Sequence, residues 1–191
     1  MNILFFDLET TGLSSAKDSI IEIAAVVIDQ NYNIVDTFQS FINPGKPISY
    51  MITKITGIDN NTVKHARSEN VVLNEFMRFV QKHKPHAVAG HNIKRFDLKW
   101  IETKTNYYSI PNQLLIDVID TLEYATKLFK DGVMENYFAM TAKGNISFKL
   151  EHLVKYFGLT EQTHRAIDDV MQNIVVYKHL KELEKTIDYG F

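Results

Sequence analysis

Cysteine is absent from the 191 residues. Disulfides and thiolate-bound metals are thereby excluded, and the chain suits a reducing, cytoplasmic setting. Charge of one sign is equally lacking, since 21 Lys and Arg stand against 23 Asp and Glu. If nucleic acid is the partner, contact must be local or metal-mediated rather than through a basic tail. No apolar run approaches the ~20 residues of a membrane span. Met1-Asn2-Ile3 has no basic n-region and the apolar run after it breaks at Asp7, so no signal peptide is expected. Repeats, linkers and low-complexity tracts are missing too. What is present is a 45% share of apolar side chains. That is enough for one substantial core, and residues 1–191 are expected to form a single domain.

The chain is organised around Ile3-Leu4-Phe5-Phe6-Asp7-Leu8-Glu9-Thr10-Thr11-Gly12-Leu13. The apolar run reads as a buried strand closed by a Thr-Gly turn. Asp7 and Glu9 are two residues apart, so on a strand they leave from one face. Two carboxylates there repel each other and resist ionising unless a cation compensates them. Hard, oxygen-preferring ions such as Mg²⁺ or Mn²⁺ are the natural compensation. Taken alone, the pair equally fits a strand end at the solvent boundary.

Further along, Ile20 to Asp29 and Ile34 to Ile42 read as strands paired through a turn at Asn31 to Asn33. With the first strand they make an antiparallel meander. Ile55-Thr56-Gly57-Ile58 reads as a loop. Val72, Leu73, Phe76, Phe79 and Val80 give one stripe on a helix from Ser68, its N-cap, to about Lys82, with Pro85 just beyond. Ala87 to Gly90 is a short buried strand, followed by a helix from about Lys94 to Tyr107. A strand over Leu114 to Ile119 leads into a helix to Lys130. Gly132 to Asn145 is aperiodic and reads as a loop. Ser147 is placed as the cap of a helix from Lys149 to Phe157, with Gly158 as its stop. The last helix starts near His164 or Arg165 and reaches about Lys185. Strands first, then alternating helix and strand, predict an α/β domain with a mixed sheet.

Three distant segments carry the chemistry: Asp7 with Glu9; Asp97 at the end of His91-Asn92-Ile93-Lys94-Arg95-Phe96-Asp97; and His164 with Asp169 at the start of the final helix. FDLETTGL, HNIKRFD and HRAIDD resemble the three motifs of the DEDDh, or DnaQ-like, 3′-5′ exonucleases, a family that includes proofreading subunits of bacterial DNA polymerase III. ITGI, IDTLEYA and KLEHLVKYFGL resemble it as well, so the similarity spans nearly the whole chain. HNIKRFD is one residue longer than HNxxFD, a spacing similar to that of TREX-like members. The resemblance implies a ribonuclease H-like mixed sheet flanked by helices. It implies two divalent cations, with Asp7 bridging both, Glu9 and Asp169 completing one, and Asp97 supporting the other. It also implies that His164 takes a proton from the attacking water. Phosphodiester hydrolysis fits this set, because two ions about 4 Å apart neutralise both attacking and leaving oxygens and need several carboxylates to hold them. Histidine suits proton removal because it titrates near neutrality.

The choice between Asp168 and Asp169 follows from helix phase. Ala166, Val170, Ile174 and Tyr177 form the core-facing stripe. Asp169 and Asn173 lie beside it, whereas Asp168 falls on the flank with Gln172. A fully helical His164 would stack on Asp168, so His164 is placed in the preceding loop.

For the substrate, the resemblance implies contact from the turn Thr10 to Leu13, with Leu13 against the 3′-terminal nucleotide; core packing is the alternative for Leu13. His91 and Asn92 are candidate substrate contacts, with helix capping the alternative for Asn92. Lys94, Arg95, Lys99 and Lys104 make a cationic group around Asp97, suited to phosphates or to a solvated face. Phe96 is expected to pack beneath Asp97.

The expected substrate is the 3′ end of single-stranded DNA, with a polymerase subunit as a possible partner and no membrane. RNA 3′-trimming is the first rival, because contacts to the 2′-hydroxyl decide the sugar. A non-catalytic nucleic-acid-binding accessory is the second, and it predicts a lost carboxylate or histidine. None of the five is lost.

Overall fold

The computed structural model describes residues 1–160 and 165–188. Its centre is β2 (Ile20–Ile28), whose nine residues are all buried. A run without polar alternation signals a strand covered on both faces, and β2 lies inside the sheet. The order is β4-β3-β2-β1-β5-β6, with β1 (Ile3–Thr10), β3 (Ile34–Asn43), β4 (Arg67–Ser68), β5 (Ala87–Gly90) and β6 (Asp117–Asp120). The first three strands pair antiparallel, and β5 joins β1 in parallel, as does β6 with β5. The mixed sheet expected from the sequence is therefore present.

Alternation along β1 divides the core. Leu4, Phe6 and Leu8 pack under α3 (Glu69–His83) and α4 (Asp97–Tyr107), among Val72, Leu73, Phe76, Trp100 and Ile101. Phe5 faces the other way, with Ala166, Val170, Ile174 and Tyr177 of α7 (Ala166–Asp188). The stripe read from the sequence is thus the buried face of α7. Asp7 and Glu9 continue the Phe5 side, so alternation aims both carboxylates at α7. A third cluster joins α5 (Thr121–Lys130), α6 (Leu150–Tyr156) and α7.

Several boundaries differ from expectation. The segment around Ile55 to Ile58 is not simply a loop: it holds the end of α1 (Tyr50–Thr56), and α2 (Asn60–Val63) follows. Both helices are too short for a periodic signal. Ser49 caps α1 and Gly57, at φ 71°, ends it in a conformation that favours glycine. The last strand is Asp117–Asp120, because Leu114, though buried, lies in coil ahead of the pairing with β5. Helix α4 starts at Asp97 rather than Lys94. Ser147 does not cap α6, whose N-cap is Lys149; the Ser147 hydroxyl meets His152 Nδ1 at 2.9 Å. Within 132–145 there is order without period: Met140 bridges to Ile146, and Tyr137 stacks on Phe148 with ring centroids 5.2 Å apart. Among the described residues, no helix is long and apolar enough to cross a membrane.

Candidate active site

Strand β1 outruns its neighbour. It pairs with β5 only through Ile3, Leu4 and Phe5, whereas β2 accompanies it to Thr10. Beyond Phe5 the β5 side of β1 is open, and the chain there passes from antiparallel to parallel pairing. Crevices at such places, beyond the carboxyl ends of strands, are where α/β sheets bind ligands.

Asp97 fills part of the opening. Its Oδ1 accepts the Leu8 N–H at 3.2 Å, between the two carboxylate-bearing residues of β1. Asp97 is 3% exposed. Desolvation drives its pKa upward, countered by backbone N–H groups including that of Leu8. Asp97 therefore braces the strand that carries Asp7 and Glu9 and adds a third carboxyl group beside them.

Asp7, Glu9 and Asp169 converge. A carboxylate oxygen from each lies within 4.8 Å of the other two. Burial raises the pKa of Asp7 well above the usual carboxylate range, and Asp97, Glu9 and Asp169 push it further. Burial likewise lifts Glu9 to about 8, helped by Asp169 and Glu22 and opposed by the Arg165 guanidinium. Groups so placed bind protons or a cation, and an all-oxygen donor set fits hard divalent ions. The described residues thus fit the cations expected from the sequence. His164 lies outside the described residues. Its neighbour Arg165 begins the first turn of α7, where the Arg165 carbonyl accepts the Asp169 N–H at 3.0 Å. Asp168 is not part of the three-carboxylate group.

His91 opens the adjoining cleft of about 430 Å³, together with Asp7, Asn92, Lys149, Lys155 and Asp169. Its Nδ1 lies 3.1 Å from Thr121 Oγ1, and that hydroxyl donates to Asn173 Oδ1 at 2.7 Å. The same hydroxyl also lies 3.2 Å from the Gly90 carbonyl, so Thr121 anchors the ring at its Nδ1 side. Nε2 is buried and has no hydrogen-bond partner among the described residues. Desolvation pulls the His91 pKa down to about 4, against the Asp120 charge and the Phe148 main chain, which favour the charged ring.

Asn92 is not a helix cap. It sits at φ 59°, its N–H bound to Asp120 Oδ1 at 3.0 Å, and α4 is preceded by Phe96. Asp120 also accepts from Lys94 N–H at 3.2 Å and Leu122 N–H at 3.1 Å, which ties the His91 turn to the start of α5. Thr10 turns inward, its hydroxyl donating to the Gly12 carbonyl at 2.7 Å. A Cβ at position 12 would meet Asp18 Oδ2 at 2.4 Å and displace the carboxylate that accepts the Ser14 N–H, so glycine suits the turn. The turn so shaped leaves Leu13 89% exposed, which removes the core alternative. Leu13 shares a groove with Arg95, Phe96 and Lys99. The other two cations are engaged elsewhere. Lys94 pairs with Glu123, and Lys104 is buried against Glu69 at 3.5 Å.

Glu22, Gln39 and Arg165 were not singled out from the sequence. A lone glutamate in the nine-residue run of β2 was the available signal, and the register sets it opposite Glu9.

Residues 4–177 match the RNase T family, described as exonuclease. The chain is 38% identical over 186 residues, 97% of its length, to the PolC-type DNA polymerase III of Caldanaerobacter subterraneus subsp. tengcongensis. It is 34% identical over 151 residues, 79% of its length, to that of Streptococcus mutans. It spans only 12% and 10% of those two proteins. In structure it is similar to E. coli exonuclease I in complex with a dT13 oligonucleotide, with a TM-score of 0.83 and 23% identity over 98% of this chain and 43% of that one. A product-bound exonuclease I gives the same TM-score at 22% identity, over 98% of this chain and 45% of that one. These likenesses establish a ribonuclease H-like exonuclease fold, and with the match over residues 4–177 the chain belongs to the RNase T family of exonucleases.

Proposed function

We propose that this chain is a metal-dependent 3′-5′ exonuclease that hydrolyses single-stranded DNA from its 3′ end and releases nucleoside 5′-monophosphates. The observation that carries the reading is the convergence of Asp7, Glu9 and Asp169 oxygens within 4.8 Å, in surroundings that oppose their joint ionisation. Asp7, Glu9 and Asp169 hold two divalent cations, Mg²⁺ or Mn²⁺, with Asp97 supporting from behind Leu8. Bound there, the ions supply charge neutralisation at the phosphorus and a more acidic attacking water. His164 receives that water's proton. His91 Nε2 hydrogen-bonds the terminal nucleotide, and Asn92 lines the same cleft. Leu13 packs against the terminal nucleotide, while Arg95 and Lys99 follow its phosphates. Thr10 acts by shaping the turn.

DNA is favoured because the relatives are DNA polymerases and the exonuclease I structure holds a dT13 strand. The same relatives support association with a polymerase, a cytoplasmic setting and a single exonuclease domain over 1–191.

The test is a gel with 5′- and 3′-labelled DNA and RNA oligomers in Mg²⁺, Mn²⁺ or EDTA. The expected result is a shrinking ladder from 5′-labelled DNA, immediate release of 3′ label as mononucleotide, and no reaction in EDTA. Faster loss of RNA would make the chain an RNA-trimming enzyme, and shortening from the 5′ end would overturn the polarity. His164→Ala is expected to lose ~10²-fold or more in turnover while still binding Mn²⁺ by calorimetry.

A further inference from the structure

Strand β2 carries one charged residue among nine, Glu22, and it is 0% exposed. Register places it directly opposite Glu9, so the two side chains share the face that looks towards α7. Glu22 nevertheless does not join the carboxylate group. Its Oε1 accepts from Gln39 Nε2 at 2.8 Å and from the Arg165 terminal amine at 2.9 Å, and its Oε2 accepts from Arg165 Nε at 3.3 Å. The guanidinium also lies over the Phe41 ring, 4.8 Å from its centroid. Arg165 is therefore gripped by Glu22 on β2 and Phe41 on β3, with Gln39 steadying Glu22.

What is gripped matters. Arg165 directly follows His164 in sequence, and its carbonyl receives the Asp169 N–H. Holding this residue fixes the first turn of α7, which carries Asp169 towards Asp7 and Glu9. The grip has a second consequence. Glu9 and Asp168 also lie within electrostatic reach of the guanidinium. Without Glu22 the cation would turn to them, and at Glu9 it would compete with any metal. A buried ion pair adds little net stability over apolar packing; what a planar guanidinium fork supplies is direction.

We propose that Glu22 is a positioning residue for the cation-binding centre, aligning Asp169 through Arg165 and keeping the guanidinium off Glu9. This rests on the reading of Asp7, Glu9 and Asp169 as metal ligands.

The test titrates Mn²⁺ into the full chain by electron paramagnetic resonance, with no nuclease assay involved. Wild type is compared with Glu22→Gln, Arg165→Lys and the double variant Glu22→Gln/Arg165→Lys, each with its melting temperature. Both single variants are expected to bind Mn²⁺ about tenfold more weakly, as is usual for lost outer-shell support. The double variant is expected to bind no worse than the weaker single, because one device has been removed twice. Wild-type affinity in the single variants, or fully additive losses in the double, would overturn the proposal. Arg165 is a third exposed, so Arg165→Lys decides the matter should Glu22→Gln fail to fold. A wild-type chain that takes no Mn²⁺ overturns the proposed function and this proposal with it; Mn²⁺ bound equally by every variant overturns this proposal alone.

Discussion

Buried Glu69 and the half-buried pair Asp7 and Glu9 lie on opposite faces of the same sheet and are treated in opposite ways. Glu69, 6% exposed at the start of α3, has every need met: Oε1 accepts the Ile20 N–H at 2.8 Å, while Oε2 accepts the Tyr108 hydroxyl at 2.9 Å and faces Lys104 Nζ at 3.5 Å. It ties the start of β2 to α3 and α4, and a charge so partnered is architecture. Asp7 and Glu9 lose hydration and meet further carboxylates: burial raises both, Asp97, Glu9 and Asp169 push Asp7 higher, and Asp169 and Glu22 push Glu9 higher. Burial is common to both sites. What separates a strut from a binding centre is whether the fold itself provides the countercharge.

The comparison breaks first at Asp7. Asp7→Asn keeps the shape and removes a repelling charge. Turnover is expected to fall by about 10³-fold or more, beyond the ~100-fold typical of lost outer-shell support. The metal-free melting temperature is expected to rise. A drop in metal-free stability would mean that Asp7 is partnered like Glu69. The converse change is Glu69→Ala, which strands the Ile20 N–H and leaves Lys104 without its countercharge, held only by the Asp18 carbonyl and the Trp100 ring. It should cost about 3–5 kcal/mol in chemical denaturation, the usual range for breaking a buried pair, and leave turnover at permissive temperature nearly unchanged. Severe loss of activity in the folded variant would erase the distinction.

The first strand, its carboxylate pair and the α7 stripe could be read from residues alone because periods of two and 3.6 survive in sequence. The choice of Asp169 over Asp168 follows from the same phase, and the structure brings Asp169, not Asp168, to Asp7 and Glu9. Other features carry no period. Helices α1 and α2 have seven and four residues, and a turn or two cannot display a stripe. The stacked Tyr137 and Phe148 hold a segment together through ring geometry, which residue order does not encode. Glu22 and the His91 Nε2, which has no partner among the described residues, depend on strand register and loop closure, which bring residues together across long separations. Lys104 shows the cost of reading proximity in sequence as proximity in function: it neighbours Asp97 along the chain yet is buried against Glu69.

The smallest expected effect is on metal-free stability, and its sign separates the two sites. In the folded chain Glu9 titrates near 8 against 4.5 ordinarily, and Asp7 and Asp97 also lie above their ordinary range. A carboxylate whose folded pKa is raised contributes stability that is fully present below the unfolded value and lost as pH climbs through the folded one. Calorimetric scans of metal-free protein should therefore show melting temperatures that fall between pH 5 and pH 8. Divalent cations should reverse that fall by replacing protons. At 100 times Kd a ligand adds about 2.7 kcal/mol, worth roughly 5–10 °C for a chain of this size. The gain should be larger at pH 8 than at pH 5.5, where protons compete for the same oxygens. Asp7→Asn should flatten the metal-free slope. A slope unaltered by that change, or a metal-induced gain that shrinks towards pH 8, would place the strained carboxylates somewhere other than the end of β1.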